Sequence, residues 1–151
     1  MAGRILVGVD GSEGSLRALR WALKEAAVRG QEVDAVIVWQ SPYDFGGGLY
    51  YLRVDEEEIV RRARERLAES IAEVAGQTPS VEIHQVVLQG DPAKTLCAWS
   101  GDADLLIVGS RGHGGFAPLS LGSVSSKCAH HSRCPVVIVP KGDDDSAPGS
   151  T

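Results

Sequence analysis

The sequence has few cysteines, no long apolar run and no excess of positive charge. Its three cysteines, Cys97, Cys128 and Cys134, are too few and too irregularly spaced for a disulfide framework or a zinc site. We expect reduced thiols, with oxidative pairing of Cys128 and Cys134 as the alternative. No apolar run approaches the roughly 18–20 residues that span a bilayer. The net charge of −5 argues against a nucleic-acid-binding surface, which is normally basic.

The length of 151 residues predicts one folded domain, which we place at residues 1–141. The first four residues lead directly into an apolar segment without the layout of a signal peptide, so we expect a cytoplasmic protein. Residues 142–151 are acidic and then rich in serine, glycine and proline. Such a composition predicts a disordered tail, which also carries part of the negative charge.

Apolar runs alternate with helical patterns along the chain. The predicted strands span residues 5–9, 33–39, 81–88, 104–109 and 135–139, and the predicted helices span residues 12–29, 55–75, 92–99 and 123–131. The first helix has one apolar face, formed by Leu16, Leu19, Ala22, Leu23, Ala26 and Ala27, and is capped by Ser12 or Ser15. Polar residues alternate early in the third strand, which predicts an edge position. The alternation as a whole predicts an α/β fold with a parallel sheet covered on both faces.

A glycine-spaced loop follows the fourth predicted strand. It contains Gly109 and Gly112, and after nine further residues it ends at Gly122 and Ser123, where a helix begins. A strand, a glycine loop and a helix start can surround an anion with backbone N–H groups, because glycine lets the backbone approach phosphate closely. The loop therefore predicts phosphate binding, with a plain surface crossover as the alternative.

Polar residues within and after the loop allow two interpretations. Ser123 and Ser125 have hydroxyls that can donate to phosphate, but serine at a helix start is also an ordinary cap. Arg111 can supply charge or can simply be solvated. Asp10, at the end of the first strand, fits a capping turn, or else a ribose-hydroxyl acceptor or an aid to metal binding that faces the same crevice.

Several familiar phosphate and hydrolytic motifs are excluded. The loop has no lysine and so is not a P-loop. Gly112, Gly114 and Ala117 match the dinucleotide-binding pattern Gly-x-Gly-x-x-Ala. However, this match does not directly follow a predicted strand, and no acidic residue that could bind a dinucleotide ribose ends a strand about 20 positions later. No serine elbow or nucleophile–base spacing indicates a hydrolytic triad. We therefore assign no catalytic residue and no resident metal ligand to the predicted phosphate site.

The chain resembles the ATP-binding branch of the universal stress protein family. The resemblance rests on Gly109-x2-Gly112-x9-Gly122-Ser123 and on the segments 5–12, 90–93, 104–112, 121–125 and 134–139. It covers residues 3–140. Pro118 and Ser120 depart from the family pattern, because they interrupt a usually apolar stretch of the nine-residue spacer.

The resemblance implies an adenine-nucleotide alpha-hydrolase-like fold, a five-stranded parallel open sheet of order 3-2-1-4-5. It implies ATP, with Mg²⁺, in the crevice between strands 1 and 4. The implied binding residues are Val9, Asp10, Val38, Gly109, Arg111, Gly112, Gly122, Ser123, Val124 and Ser125, with Asp10 on the ribose, Val38 on adenine and residues from 109 onward around the phosphates. It also implies a homodimer through residues 136–139, which as an unpaired apolar edge would be prone to aggregation.

Three functions remain open at this point. The first is an ATP-binding stress-response or regulatory protein without committed catalysis. The second is a slow ATPase or nucleotide-dependent transferase, in which Asp10 or His113 would orient water or a substrate. The third is a nucleotide-independent dimeric interaction module that uses the aromatic loop at residues 41–53.

Overall fold

The computed structural model describes residues 3–45, 55–76, 80–111 and 121–142. The strands are β1 (Arg4–Gly8), β2 (Glu32–Trp39), β3 (Ile83–Gln89), β4 (Leu105–Gly109) and β5 (Val136–Val139). The α-helices are α1 (Glu13–Arg29), α2 (Glu56–Ala75), α3 (Pro92–Trp99) and α4 (Ser123–His131), with short 3₁₀ turns at Pro42–Phe45 and Ser100–Asp102. The predicted site residue Gly112, the possible catalytic residue His113, residues 46–53 of the aromatic loop and the predicted tail beyond Gly142 lie outside the described residues.

The five strands form one parallel sheet of order β3-β2-β1-β4-β5. This order confirms the predicted topology, and β3 lies at an edge as its alternating pattern indicated. β1 lies at the centre, where Val7 pairs with Ala35 of β2 on one side and with Ile107 of β4 on the other. After β1 the chain therefore continues to β2 on one side of the sheet, whereas after β4 it continues to β5 on the other side.

Helix α1 is capped by Ser12 rather than by Ser15, because the Ser12 hydroxyl accepts a hydrogen bond from the Ser15 backbone N–H at 3.2 Å. It ends at Gly30, whose φ of 66° is left-handed and whose N–H bonds the Ala26 carbonyl. The predicted apolar face is buried except at Ala27, where the expectation was wrong. Each residue turns about 100° around a helix, so Ala27 lies beyond the buried stripe that Ala26 still shares.

Two apolar layers cover the two faces of the sheet. Alternate residues such as Ile5, Val7 and Ile107 pack beneath α1 and α2, whereas Leu6 and Leu106 belong to the second layer, with Leu96 of α3 and Cys128 of α4. Because all strands are parallel, their carboxyl ends meet at one edge of the sheet. Within the described residues, no helix has the length and apolar character needed to cross a bilayer.

Candidate functional site

The carboxyl ends of β1 and β4 form a crevice at the centre of the sheet. The two strands are hydrogen-bonded neighbours through the pairs from Ile5↔Leu105 to Val7↔Ile107. Helices on opposite faces follow them: β1 leads to α1 and β4 leads towards α4. Ligands of open α/β sheets bind outside such a switch point. The residues that follow the two strands, Asp10 on one side and Gly109 to Arg111 on the other, therefore define the candidate site.

Glycines bring three backbone segments into close contact at this crevice. A Cβ atom on Gly109 would lie 2.7 Å from the carbonyl oxygen of Gly14 in the first turn of α1. A Cβ atom on Gly14 would collide with the carbonyl oxygen of Arg111, and one on Gly122 would lie 3.3 Å from the Arg111 Cα atom. The turn after β4 is thus held between the starts of α1 and α4, with no room for a side chain at Gly14 or Gly109 and little at Gly122.

The start of α4 lacks the side-chain cap that the other α-helices have. α1, α2 and α3 are capped by the side chains of Ser12, Asp55 and Asp91. Gly122 occupies the corresponding position of α4 and has no side chain to do so. The first intrahelical hydrogen bond runs from Ser126 N–H to the Gly122 carbonyl at 3.0 Å.

The three N–H groups ahead of that bond belong to Ser123, Val124 and Ser125. They lie at the positive end of the helix dipole, which favours an anion there. Gly122 is itself tied to the turn after β4, since its N–H donates to the Ser110 carbonyl at 2.7 Å. The turn and the helix start therefore form one cradle, held together by this hydrogen bond, with donor groups suited to phosphate oxygens.

Ser125 holds this cradle together from the inside. Its side chain is 2% exposed, and its hydroxyl donates to the Ser110 carbonyl at 2.7 Å, with the Gly122 carbonyl at 3.1 Å. The single hydroxyl proton is used within the protein, so this arrangement leaves it no proton to donate to a phosphate. Ser123, by contrast, is exposed at the helix start. The sequence pattern could not separate the two serines, because their burial depends on how α4 packs.

Asp10 takes part in the turn between β1 and α1. One of its carboxylate oxygens, Oδ1, accepts hydrogen bonds from the Ser12 N–H at 2.9 Å and from the Ser12 hydroxyl. Its own N–H donates to the Ser15 hydroxyl at 3.2 Å. This is the capping-turn role that the sequence analysis left open. It also fixes the carboxylate of Asp10 at the carboxyl edge of β1, beside the crevice.

Val9 and Val38 lie at the same edge but on opposite faces of the sheet. Val9 is 3% exposed, packs in the layer beneath α1 and α2, and donates its N–H to the Val36 carbonyl at 2.8 Å. Val38 is half-buried and packs with the second apolar layer. The structure therefore brings Asp10, Gly109, Arg111 and the start of α4 around one crevice, whereas the Val9 side chain belongs to the core.

Two further residues of this region were missed by the sequence analysis. Gly14 is the closest contact of Gly109, and its signal was a glycine in the first turn of a helix, where alanine is ordinarily favoured. Arg66 of α2 places its side chain against Gly11, which has a φ of 84°. No spacing in the sequence links Arg66 to the turn after β1, because the contact arises only when α2 packs beside α1.

This architecture is that of a doubly wound α/β protein with a glycine-walled turn and an uncapped helix start at its switch point. The profile of the universal stress protein family matches residues 1–140, and the chain belongs to this family. It is 36% identical over 135 residues to a universal stress protein of Mycolicibacterium smegmatis, covering 89% of this chain and 45% of that protein. It is 38% identical over 136 residues to one of Mycobacterium tuberculosis, covering 89% and 44%.

The chain thus spans about half the length of these curated relatives. Among solved structures, it is similar to a universal stress protein crystallised in complex with cAMP. The TM-score is 0.58 and the identity is 27%, covering 91% of this chain and 95% of the other. The similarity therefore extends over nearly the whole of both folds.

Proposed function

We propose that this chain binds an adenine nucleotide, ATP with Mg²⁺, in the crevice between β1 and β4 and acts as a nucleotide-dependent regulatory protein of the stress response. The observation that carries the proposal is the glycine-walled turn after β4, packed against a helix start that no side chain caps. The similar protein whose crystals contain cAMP supports an adenine nucleotide as the ligand class.

The residues of the crevice suit the parts of such a nucleotide. The N–H groups of Ser123 and Val124 would hold the phosphates at the start of α4, together with the turn at Gly109, Arg111 and Gly112. Asp10 would accept from a ribose hydroxyl, with Val9 behind it in the core, and Val38 would meet the adenine. Ser125 acts as a positioning residue that keeps the Ser110 carbonyl and Gly122 together. Mg²⁺ is expected to bind chiefly through phosphate oxygens and water.

Substitution of Gly122 by valine tests the site. A side chain there would begin 3.3 Å from both the Arg111 Cα atom and the Ser110 carbonyl oxygen, and the valine methyl groups would fill the cradle. We expect the Kd for ATP with Mg²⁺ to rise at least about tenfold, because a displacement near 1 Å is enough to spoil such positioning. Isothermal titration calorimetry measures it directly.

Gly76 provides a matched control for that experiment. It lies at the end of α2 with a φ of −60°, and a Cβ atom there would meet no atom of the described residues within 4 Å. Gly76→Val should leave the Kd unchanged. Equal affinities of wild type, Gly122→Val and Gly76→Val would refute the assigned site.

We propose that the nucleotide is held rather than rapidly hydrolysed. The loop between β4 and α4 contains no lysine, and Asp10 is engaged in the turn that begins α1. Slow hydrolysis is the competing activity. Phosphate release with Mg²⁺ that clearly exceeds a Gly122→Val blank would favour a slow ATPase, whereas equal rates would support binding without turnover.

We also propose a homodimer through β5. This strand is last in the sheet order, and Val136, Val137 and Ile138 are only half-buried in the single chain. The carbonyls of Pro135 and Val139 accept hydrogen bonds from the N–H groups of Leu106 in β4 and of Ser110 directly after it. Alternation therefore directs the N–H groups of Val136 and Ile138 to the other side.

Pairing of two β5 strands about a two-fold axis would satisfy these N–H groups. Light scattering should give twice the 16.0 kDa chain mass, and Val136→Pro, which removes an outward N–H, should give a folded species of 16.0 kDa. A wild-type mass of 16.0 kDa at micromolar concentration would contradict the dimer.

A further inference from the structure

A cluster of charged side chains lies at the amino-terminal edge of the sheet, opposite the crevice. Glu32 begins β2, and Glu82 immediately precedes β3, where its carbonyl accepts the Val33 N–H at 2.9 Å. His84 follows Glu82 by two residues, so the two share one face of the sheet. The function proposed above uses none of these residues.

The geometry points to a binding site for a zinc-like divalent cation formed by Glu32, Glu82 and His84, and we propose that this chain binds Zn²⁺ there. The His84 Nε2 atom lies 3.4 Å from Glu32 Oε2 and 3.8 Å from Glu82 Oε1. One ligand atom from each residue lies within 4.8 Å of the others. Tetrahedral zinc with bonds near 2.0–2.1 Å separates its ligand atoms by about 3.3 Å, so small side-chain movements would complete the site.

Exposure and ligand type are consistent with a site open to solvent. The side chains of Glu32, His84 and Glu82 are 31%, 39% and 65% exposed, so an ion can reach them and water can supply a fourth ligand. One imidazole and two carboxylates form a donor set found in zinc sites, whereas calcium and magnesium prefer oxygen ligands alone. The donor set therefore favours Zn²⁺.

A buried carboxylate beside the cluster supports this inference. Asp34 is directly opposite His84 in the β2–β3 register and lies on the same face as Glu32. It is 2% exposed, and its Oδ1 atom has no hydrogen-bond partner among the described residues. A buried carboxylate oxygen without a partner is costly, and a nearby cation would offset that cost.

Arg4 is the competing positive charge at this edge. Its guanidinium donates to Asp34 Oδ2 at 3.0 Å, while its contact with Glu32 Oε2 is longer, at 3.8 Å. Arg4 is therefore held mainly by Asp34. The carboxylates of Glu32, Asp34 and Glu82 outnumber this one arginine, so the edge retains negative charge that favours a divalent ion.

Zinc titration of the full chain tests the site. We expect one Zn²⁺ to bind with a micromolar Kd, measured by competition with a fluorescent chelator, and His84→Gln and Glu82→Gln each to weaken binding at least about tenfold. Because the ion would join β2 to the edge strand β3, Zn²⁺ should raise the Tm of the wild type and not that of His84→Gln. The variants change side chains that are 39% and 65% exposed, and circular dichroism should show that both variants fold as the wild type does.

Controls separate this site from other zinc ligands of the chain. His131→Gln alters an exposed histidine at the end of α4 and should keep the wild-type Kd within about twofold, since it removes no ligand of the proposed site. Co²⁺ substituted for Zn²⁺ should show d–d bands without a thiolate charge-transfer band, because no cysteine takes part. Unchanged affinity in His84→Gln, or no saturable binding below millimolar Zn²⁺, would overturn the proposal.

Discussion

Replacement of Gly109 by alanine tests the close packing on which the cradle depends. Gly109 ends β4, and an added Cβ atom would lie 2.7 Å from the Gly14 carbonyl oxygen and 2.8 Å from its carbonyl carbon. Ordinary van der Waals contact begins at 3.4 Å, so the start of α1 and the turn after β4 must separate by about 0.7 Å. Both contacted atoms are backbone, and no side-chain rotation can relieve them.

Two opposing effects set the size of the expected change. Overpacking of this kind costs about 1–3 kcal/mol. Replacing glycine also lowers the conformational entropy of the unfolded chain, which raises the free energy of unfolding by about 0.4–1 kcal/mol. We therefore expect Gly109→Ala to lower the free energy of unfolding by about 1.5 kcal/mol and, at roughly 2–4 °C per kcal/mol for a chain of this size, to lower the Tm by about 3–6 °C.

Thermal and urea unfolding in the absence of nucleotide provide the assay. The matched control is Gly76→Ala, where a φ of −60° and the lack of any contact within 4 Å from the described residues predict an unchanged or slightly raised Tm. An unchanged or raised Tm for Gly109→Ala would show that the turn after β4 is not packed against the starts of α1 and α4 as described. It would thereby also refute the geometry proposed for phosphate binding.

Three further predictions concern other parts of the chain. Ser125→Ala should lower the free energy of unfolding by about 1 kcal/mol in urea titrations, because it removes the buried hydrogen bonds of the cradle; no change would contradict that role. Burial raises the pKa of the Cys128 thiol to about 12, so maleimide at pH 7 should label the partly exposed Cys97 and Cys134 in the folded chain but Cys128 only after unfolding, and rapid labelling of Cys128 in the folded chain, located by peptide mapping, would contradict its burial. Arg61 and Arg62 lower the pKa of Glu58 from 4.5 to about 2, so the contribution of Glu58 to stability is fully present above about pH 4.5 and is lost as the pH falls towards 2. The Tm difference between wild type and Glu58→Gln should therefore shrink over that pH range, and a constant difference would refute the pairing.

The sequence predicted the sheet because its apolar periodicity and strand–helix alternation have few topological solutions. The edge position of β3 was readable from Glu82 and His84, which interrupt an apolar run on one side. Ala27 was placed on the wrong side of α1, since a pattern of small residues marks the limits of a buried stripe poorly. The observed ends of several strands and helices differ from the predicted ends by one or two residues, because the ends are set by hydrogen bonding that the sequence pattern does not show.

The candidate site was predictable in position but not in the role of each residue. The glycine spacing marked the turn after β4, because only glycine permits the close approach of Gly109 to Gly14. It could not tell that the Ser125 hydroxyl is used within the cradle or that Arg66 reaches the turn after β1. The first depends on how α4 packs against the turn after β4, and the second on how α2 packs beside α1. The edge cluster of Glu32, Glu82 and His84 likewise arises only from strand register.

The central claim is that an adenine nucleotide occupies the crevice between β1 and β4. Titration of the ¹⁵N-labelled chain with ATP and Mg²⁺, followed by amide chemical shifts, tests it most directly. We expect saturable amide shifts concentrated at Asp10, at Gly109 to Arg111 and at Ser123 and Val124. The amide shifts around His84, at the amino-terminal edge of the sheet, should stay unchanged. No saturable shift up to millimolar ATP, or shifts confined to residues away from the crevice, would contradict it.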